Sequence, residues 1–194
     1  MIIALVNRKG GTGKTTSAAY LAQALHKAGR DVLGIDLDEE MSWKKWHNSG
    51  ALPYEVIAHS RKDALSGPLE SHRGDVVIDT PPNDGEVIYK VSSIANEVIV
   101  PLSATSLDLN RLFSTLKTIE DIEKLRETPL ASVLLTRWQG SHTLSQEAVS
   151  ALEEQQTPLI SARIRQLTRY AGFGTPEFLD EYEAVLKELE VIGA

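Results

Sequence analysis

The feature that most restricts this chain is the run KGGTGKTT from Lys9 to Thr16. It sits between a short apolar stretch, Met1 to Val6, and a segment of helical spacing. In that segment Ala18, Leu21, Ala22 and Leu25 fall on one face, and Gly29 supplies the residue expected just past a helix end. Strand, glycine-rich loop and helix in this order predict a phosphate cradle. The glycines let the backbone come close to an anion, and the helix directs unpaired amides and the positive end of its dipole at it. An ordinary P-loop reads G-x-x-x-x-G-K-[ST]. Counted back from Gly13 and Lys14, the place of its first glycine holds Arg8, so the strict pattern fails. An added lysine, Lys9, stands ahead of Gly10 and Gly11 instead.

Within the cradle, Gly10, Gly11, Thr12, Gly13 and Thr16 are the backbone positions around the phosphates. Lys14 is placed to neutralise the outer phosphates of a nucleotide, and Thr15 to offer its hydroxyl to Mg2+. Carboxylates at strand ends come next, because nucleotide chemistry in open parallel sheets lies beyond their carboxyl edge. Asp36 and Asp38 close the run VLGIDLD on the same face of an extended chain. Asp79 closes DVVIDTPP, an apolar run leading into an acid, and would hold magnesium by way of water. A helix cap or turn is the plain alternative for Asp36 and Asp38, as a plain turn is for Thr80–Pro82.

Apolar runs alternate with helical patterns along the rest of the chain, which predicts an α/β fold: a mostly parallel, twisted sheet with helices on both faces. Candidate strands are 31–37, 54–58, 75–79, 97–102, 132–136 and 158–160. Candidate helices are 84–95 and 106–127, the second with Leu109, Leu112, Phe113, Leu116 and Ile119 inward. At 194 residues and 42% hydrophobic content, one core and a single domain over 1–194 are expected. No apolar run approaches the ~18 residues of a membrane span, and no cleavable leader precedes the first strand. A cytoplasmic protein is expected. The absence of cysteine excludes thiolate-held iron–sulfur or zinc centres.

The deviant loop with its second lysine resembles that of the ParA/MinD family of partition and positioning ATPases, most of all the compact plasmid-type members, and the resemblance covers most of the chain. It implies a P-loop NTPase fold, ATP and Mg2+ as cofactors, and a homodimer that sandwiches two nucleotides. Lys9 would then reach across the two-fold interface into the partner's nucleotide. By the family's D-x-D pair, Asp38 would orient the attacking water, and Asp36 would support the magnesium shell with Thr15 and Asp79. Lys9, Lys14 and Asp38 are the catalytic set so implied. Glu39 and Glu40 replace the family's usual proline and glutamine, adding negative charge near the γ-phosphate. Thr80–Pro81–Pro82 resembles the switch region, and PLSATSLD from Pro101 to Asp108 a later dimer-facing stretch. Thr136 and Arg137 follow a strand where relatives contact the base. MSWKKW, Met41 to Trp46, also fits, with Trp43 and Trp46 open to either core packing or a subunit interface.

A net charge of −7 argues against general nucleic-acid binding, yet no acid occurs from Thr157 to Pro176, where Arg163, Arg165 and Arg169 stand. The resemblance implies that such residues bind nonspecific DNA in the ATP-bound dimer, with Arg165 and Arg169 on one helical face. Internal salt bridges are the alternative. The tail from Glu177 to Ile192 is acidic, with Phe178, Tyr182, Val185 and Leu189 as its apolar stripe, so the basic lipid-binding helix of MinD-type relatives is not expected, nor any membrane partner. A DNA-reading domain ahead of the loop is not expected either. The function so implied is ATP-dependent DNA segregation over the nucleoid, with hydrolysis stimulated by a ParB-like or small centromere-binding adaptor. Positioning of a protein cargo is the alternative, and a metabolic ligase of the same fold a more distant one.

Overall fold

The computed structural model describes residues 1–59, 65–104, 108–126, 130–140, 143–167 and 180–193. Six strands are present: β1 (Ile2–Leu5), β2 (Val32–Asp36), β3 (Glu55–Ala58), β4 (Asp75–Asp79), β5 (Glu97–Ser103) and β6 (Ala131–Thr136). Between and after them lie α1 (Lys14–Lys27), α2 (Ser42–Asn48), α3 (Ser66–Ser71), α4 (Gly85–Ile94), α5 (Leu109–Arg126), α6 (Thr143–Glu154) and α7 (Asp180–Glu188). The strands form one sheet in the order β3-β2-β4-β1-β5-β6, with every pairing parallel.

Alternation along each strand divides the core in two. Ile3 and Leu5 of β1 face α1, α2 and α7; Ala4 and Val6 face α4, α5 and α6. The fold is the α/β P-loop NTPase architecture expected from the sequence. The chain leaves β1 toward β2 on one side and crosses from β4 to β5 on the other. The loop after β1 therefore lies at the switch point, where open parallel sheets bind ligands.

Trp43 and Trp46 are both buried, which answers the question left open by their spacing: they pack. Gly34 makes this possible, because a Cβ on it would stand 2.7 Å from the Trp43 ring. The indole N–H of Trp43 donates to the Tyr54 hydroxyl (3.3 Å), which donates to the Ala19 carbonyl of α1 (2.7 Å). Tyr20 lies between Trp46 and Tyr182, with ring centroids 5.9 and 5.3 Å away, so one aromatic layer joins α1, α2 and α7.

Three expectations need correction. Residues 158–160 form an isolated bridge rather than a regular strand: Leu159 pairs with Val133, and the chain continues extended along the outer edge of β6. That segment covers an edge that would otherwise expose a row of unpaired backbone groups. Arg165 lies in the same irregular segment, bridged to Trp138, and not on a helix; Arg169 is outside the described residues. On α5, Leu112 and Ile119 are fully buried and Leu109 and Leu116 pack half-buried against the same core, as expected, but Phe113 is only half-buried and Thr115 takes a core position. Two further helices, α3 and α6, are not among the elements expected from the sequence. Among the described residues, no helix is long and apolar enough to cross a membrane.

Candidate nucleotide-binding site

Strand register brings the acids together. Leu5 of β1 is in register with Asp79 of β4, and Asp79 with Asp36 of β2, so the ends of three adjacent strands form one row beneath the loop. The loop turns through Gly11 (φ 72°) and Gly13 (φ 90°), left-handed conformations that glycine adopts without steric cost. Buried Asn7 anchors its start: the side-chain oxygen accepts from Lys9 N–H (2.8 Å) and the side-chain amide donates to Pro101 C=O (2.8 Å). Thr136 anchors its middle, donating to Thr12 C=O at 2.8 Å, with Leu102 C=O a longer alternative at 3.3 Å. Gly13 caps α1 without any side-chain acceptor, leaving the first-turn amides available to an anion.

Above the loop opens a cleft of about 560 Å³, lined by the loop residues Gly10, Gly11, Gly13, Lys14, Thr15 and Thr16, and by Asp38, Glu39, Glu40, Ser42, Pro82 and Arg137. Gly13, Thr16 and Arg137 are shared with an adjoining cavity of about 530 Å³ that runs to Ile164, Gln166, Leu167 and Tyr182. The structure thus brings together Lys14, Thr15, Thr16, Asp38 and Arg137 around one space. Thr136 borders the second cavity, but its hydroxyl proton is directed to the loop. Glu39 and Glu40, the acids standing where the family pattern has proline and glutamine, line the same cleft.

Lys14 is only 6% exposed and donates to Lys9 C=O at 3.1 Å. Burial pushes its pKa down, while the charges of Asp79 and Asp38 pull it back up. Asp79 is fully buried, and burial pushes its pKa up to about 7, aided by the Asp36 and Asp38 charges and opposed by the Thr15 hydroxyl and Lys14. The Thr15 hydroxyl donates to Asp79 Oδ2 at 2.6 Å, whereas Asp79 Oδ1 is buried without a hydrogen-bond partner. An orphaned carboxylate oxygen beside a hydroxyl, on the floor of an anion cleft, fits Mg2+ held with phosphate oxygens and water. No cluster of three or more His, Cys, Asp or Glu suited to a metal occurs among the described residues, so the protein alone does not cage an ion there.

Asp36 does something more specific than its position suggests. Its carboxylate accepts N–H bonds from Asp38 (3.1 Å), Trp43 (3.0 Å) and Lys44 (3.1 Å), holding the turn after β2 and the start of α2. Burial raises its pKa, and these three amides oppose that rise. The cap alternative accounts for every contact it makes. Asp38, half-buried, accepts Glu40 N–H at 3.0 Å and faces the cleft.

The two described arginines of the acid-free stretch do not form a shared basic face. Arg163 turns back onto the carbonyls of Ile160 and Ala162 and lies over the Trp138 ring, 5.9 Å from its centroid. Arg165 pairs through both its side chain and its backbone N–H with Glu181 of α7. Sequence reasoning missed three functional anchors: Asn7, the Thr136–Thr12 bond, and Tyr182, which borders the second cavity and hydrogen-bonds Ser17 at 3.3 Å. Only Asn7 carried a signal, a polar residue directly after the apolar run Met1–Val6 and three positions before Gly10.

Parallel sheets that carry such a loop after a central strand define the P-loop nucleotide-binding proteins. Within that class the chain belongs to the CobQ/CobB/MinD/ParA nucleotide binding domain family, whose profile matches residues 3–172. It is 30% identical to the maintenance of carboxysome distribution protein A of Gloeobacter kilaueensis, over 97% of this chain and 94% of that protein. To the chromosome-partitioning ATPase Soj of Thermus thermophilus it is 27% identical, over 77% of this chain and 74% of that one. Among solved structures, apo McdA of Cyanothece superposes with a TM-score of 0.76 at 20% identity, covering 97% of this chain and 98% of that one.

Proposed function

We propose that the chain is an ATP-driven switch of the compact ParA type, which pairs over two nucleotides, holds nonspecific DNA while paired, and lets go on hydrolysis. The observation that carries the reading is the pair of lysines on one loop. Lys14 is buried at the floor of the cleft, tied by its Nζ to the carbonyl of Lys9, while Lys9 itself is half-buried and does not line the cleft. Lys14 serves the nucleotide of its own subunit, and Lys9 serves that of the partner. Occupancy and pairing thereby become one event.

The phosphates occupy the cleft over Gly10–Thr16, and the base and ribose the adjoining cavity beyond Arg137. Thr15 and Asp79 hold Mg2+, with Asp36 keeping the neighbouring backbone in place; the ion supplies positive charge to the outer phosphates. Asp38 orients the attacking water. DNA contacts fall to Arg163, Arg165 and Arg169, with Arg165 leaving Glu181 when a phosphate competes for it. The deciding experiment is DNA retention with ADP, ATP and a non-hydrolysable analogue. Retention that needs a triphosphate and no added small substrate supports the reading; equal retention in all three states rejects it, and a need for a small substrate points to a ligase.

The cargo has two candidates. Likeness over nearly the whole chain to a protein named for carboxysome distribution favours a protein assembly, whereas the Soj relative favours a replicon. ATP turnover stimulated by a centromere-binding protein encoded nearby selects the replicon. Stimulation by an assembly-bound adaptor selects the other.

A further inference from the structure

Arg8, the residue standing where the ordinary loop has its first glycine, is unused by the reading above, and its surroundings are specific. Its backbone N–H donates to Thr115 Oγ1 of α5 (3.3 Å), and its C=O accepts the N–H of Asn83 (3.0 Å), in the turn between β4 and α4. Its guanidinium donates through Nη2 to Thr118 Oγ1 (3.3 Å). Both threonines spend their own hydroxyl protons on α5 carbonyls, Arg111 and Ser114, so the lone pairs they offer Arg8 are free to accept. One residue thus ties the loop to the 80–84 turn through its backbone and to α5 through backbone and side chain.

The fit against α4 is closer still. A Cβ placed on Gly85, the first residue of α4, would stand 2.8 Å from Nη2, 3.1 Å from Nη1 and 3.2 Å from Cζ. With the guanidinium where it stands, any side chain at position 85 would have to push it aside. No ion pair to Arg8 exists among the described residues, and its Nε is buried without a hydrogen-bond partner. Shape and the Thr118 hydroxyl hold the guanidinium, and the Thr115 hydroxyl holds the backbone N–H. A group kept in place at such a cost is suited to transmitting small movements, since it has no deep well of its own to resist them.

We infer that Arg8 is a positioning residue that couples nucleotide occupancy of the loop to the 80–85 turn and the start of α4. This rests on the nucleotide reading of the same loop. A displacement of residues 8 and 9 as phosphates enter is passed through the Arg8 C=O to Asn83, and through the guanidinium to Gly85. Asn83 already sits in a left-handed conformation (φ 57°), and Asp84 caps α4 by accepting Val87 N–H at 3.0 Å. A small rotation at Asn83 therefore re-aims the whole helix.

Hydrogen exchange over residues 80–88, read with and without Mg2+·ATP in the full chain, tests the coupling. Wild type, Arg8→Gln, Arg8→Lys, Gly85→Ala and the Arg8→Gln/Gly85→Ala double variant are compared. In the wild type, nucleotide slows exchange in this segment by about tenfold or more. Arg8→Gln and Gly85→Ala each remove that protection while a fluorescent nucleotide still binds within about threefold, and the double variant loses no more than either single. Gly85→Ala guards against misfolding as an explanation, because alanine favours the helix. Arg8→Lys, which keeps the charge without the planar fork, restores at most part of the protection. Full protection in Arg8→Gln, or additive losses in the double variant, overturns the coupling and leaves the nucleotide reading intact. A wild type that binds no nucleotide overturns both.

Discussion

Thr15 and Asp79, 64 positions apart in sequence, meet in a 2.6 Å hydrogen bond whose other carboxylate oxygen is left buried and unpaired. The bond is the junction of the loop with the central sheet, and it sets the chemistry of the floor. A hydroxyl facing an acid whose pKa is pushed up to about 7 by burial makes a place that is partly protonated near neutrality when empty and must lose that proton to take a divalent cation.

Proton release is the first prediction. Asp79 is pushed up to about 7 by burial, so near neutrality the empty site is partly protonated, whereas coordination needs the anion. Calorimetry of Mg2+·ADP binding in two buffers of different ionisation enthalpy is expected to show proton release at pH 6.5 to 7 that fades by about pH 9. The sign for stability follows. The folded pKa lies above the unfolded value, so the contribution of Asp79 to stability is greatest in acid and is lost as pH rises toward 7. Asp79→Asn is expected to abolish the magnesium-dependent release. Release that persists in that variant assigns it elsewhere.

Lys14 and Asp38 separate binding from turnover. Lys14 lies buried at the cleft floor, and its loss removes the cation under the phosphates; Asp38 borders the cleft without touching the loop's amides. Asp38→Ala is expected to bind ATP and accumulate as a dimer, with turnover down by about 10²-fold or more. Lys14→Gln is expected not to pair at all. Light scattering with ATP distinguishes the two, and the opposite order rejects the assignment of roles.

Glu39 and Glu40 tune affinity. Both are exposed on the cleft lining, and their charge is expected to oppose the most highly charged phosphate. Replacing both by Gln is expected to tighten ATP by roughly threefold to tenfold at low salt and ADP by less, with the gain shrinking at high ionic strength. Titration with both nucleotides at two salt concentrations checks it; an equal gain for both points to a change of loop shape instead.

Much of this arrangement is legible in the sequence because buried parallel strands are nearly continuous apolar runs, which is why 75–79 and 97–102 match β4 and β5 almost residue for residue. The loop is legible because its glycines and lysines have fixed spacing. α6 is not, since two of its fully buried positions are filled by the small residues Ser145 and Ala148. Nor is α3, six residues containing Gly67 and Pro68. The basic stretch misleads for a different reason. Arg165 looks unpaired when read along the chain, and its carboxylate partner, Glu181, arrives only when α7 folds back beside α1. Likewise, nothing linear announces that Thr136 carries the Thr12 carbonyl.

Gly34 tests the aromatic layer. With its Cβ position 2.7 Å from the Trp43 ring and 3.1 Å from Val56 Cγ2, alanine there must displace the indole. Gly34→Ala is expected to cost about 1–3 kcal/mol in urea unfolding. Combining it with Trp43→Phe, which vacates the contacted edge, is expected to cost less than the sum of the two single changes. Simple additivity would place the strain elsewhere.

Asp36 has two parts assigned to it, and they diverge under substitution. Its carboxylate is bonded to the N–H groups of Asp38, Trp43 and Lys44, so as a cap it stabilises the turn after β2 whether or not nucleotide is present. Asp36→Ala leaves those donors short of an acceptor and is expected to destabilise the nucleotide-free protein by about 1–3 kcal/mol. Asp36→Asn keeps one carbonyl acceptor and loses less, while removing the negative charge that helps raise the Asp79 pKa. Asp79 in Asp36→Asn therefore titrates lower, and proton release on Mg2+·ADP binding shrinks at neutral pH with the affinity largely kept. If magnesium-dependent affinity collapses in Asp36→Asn while urea stability is unchanged, Asp36 belongs to the metal's own shell and not to the scaffold beneath it.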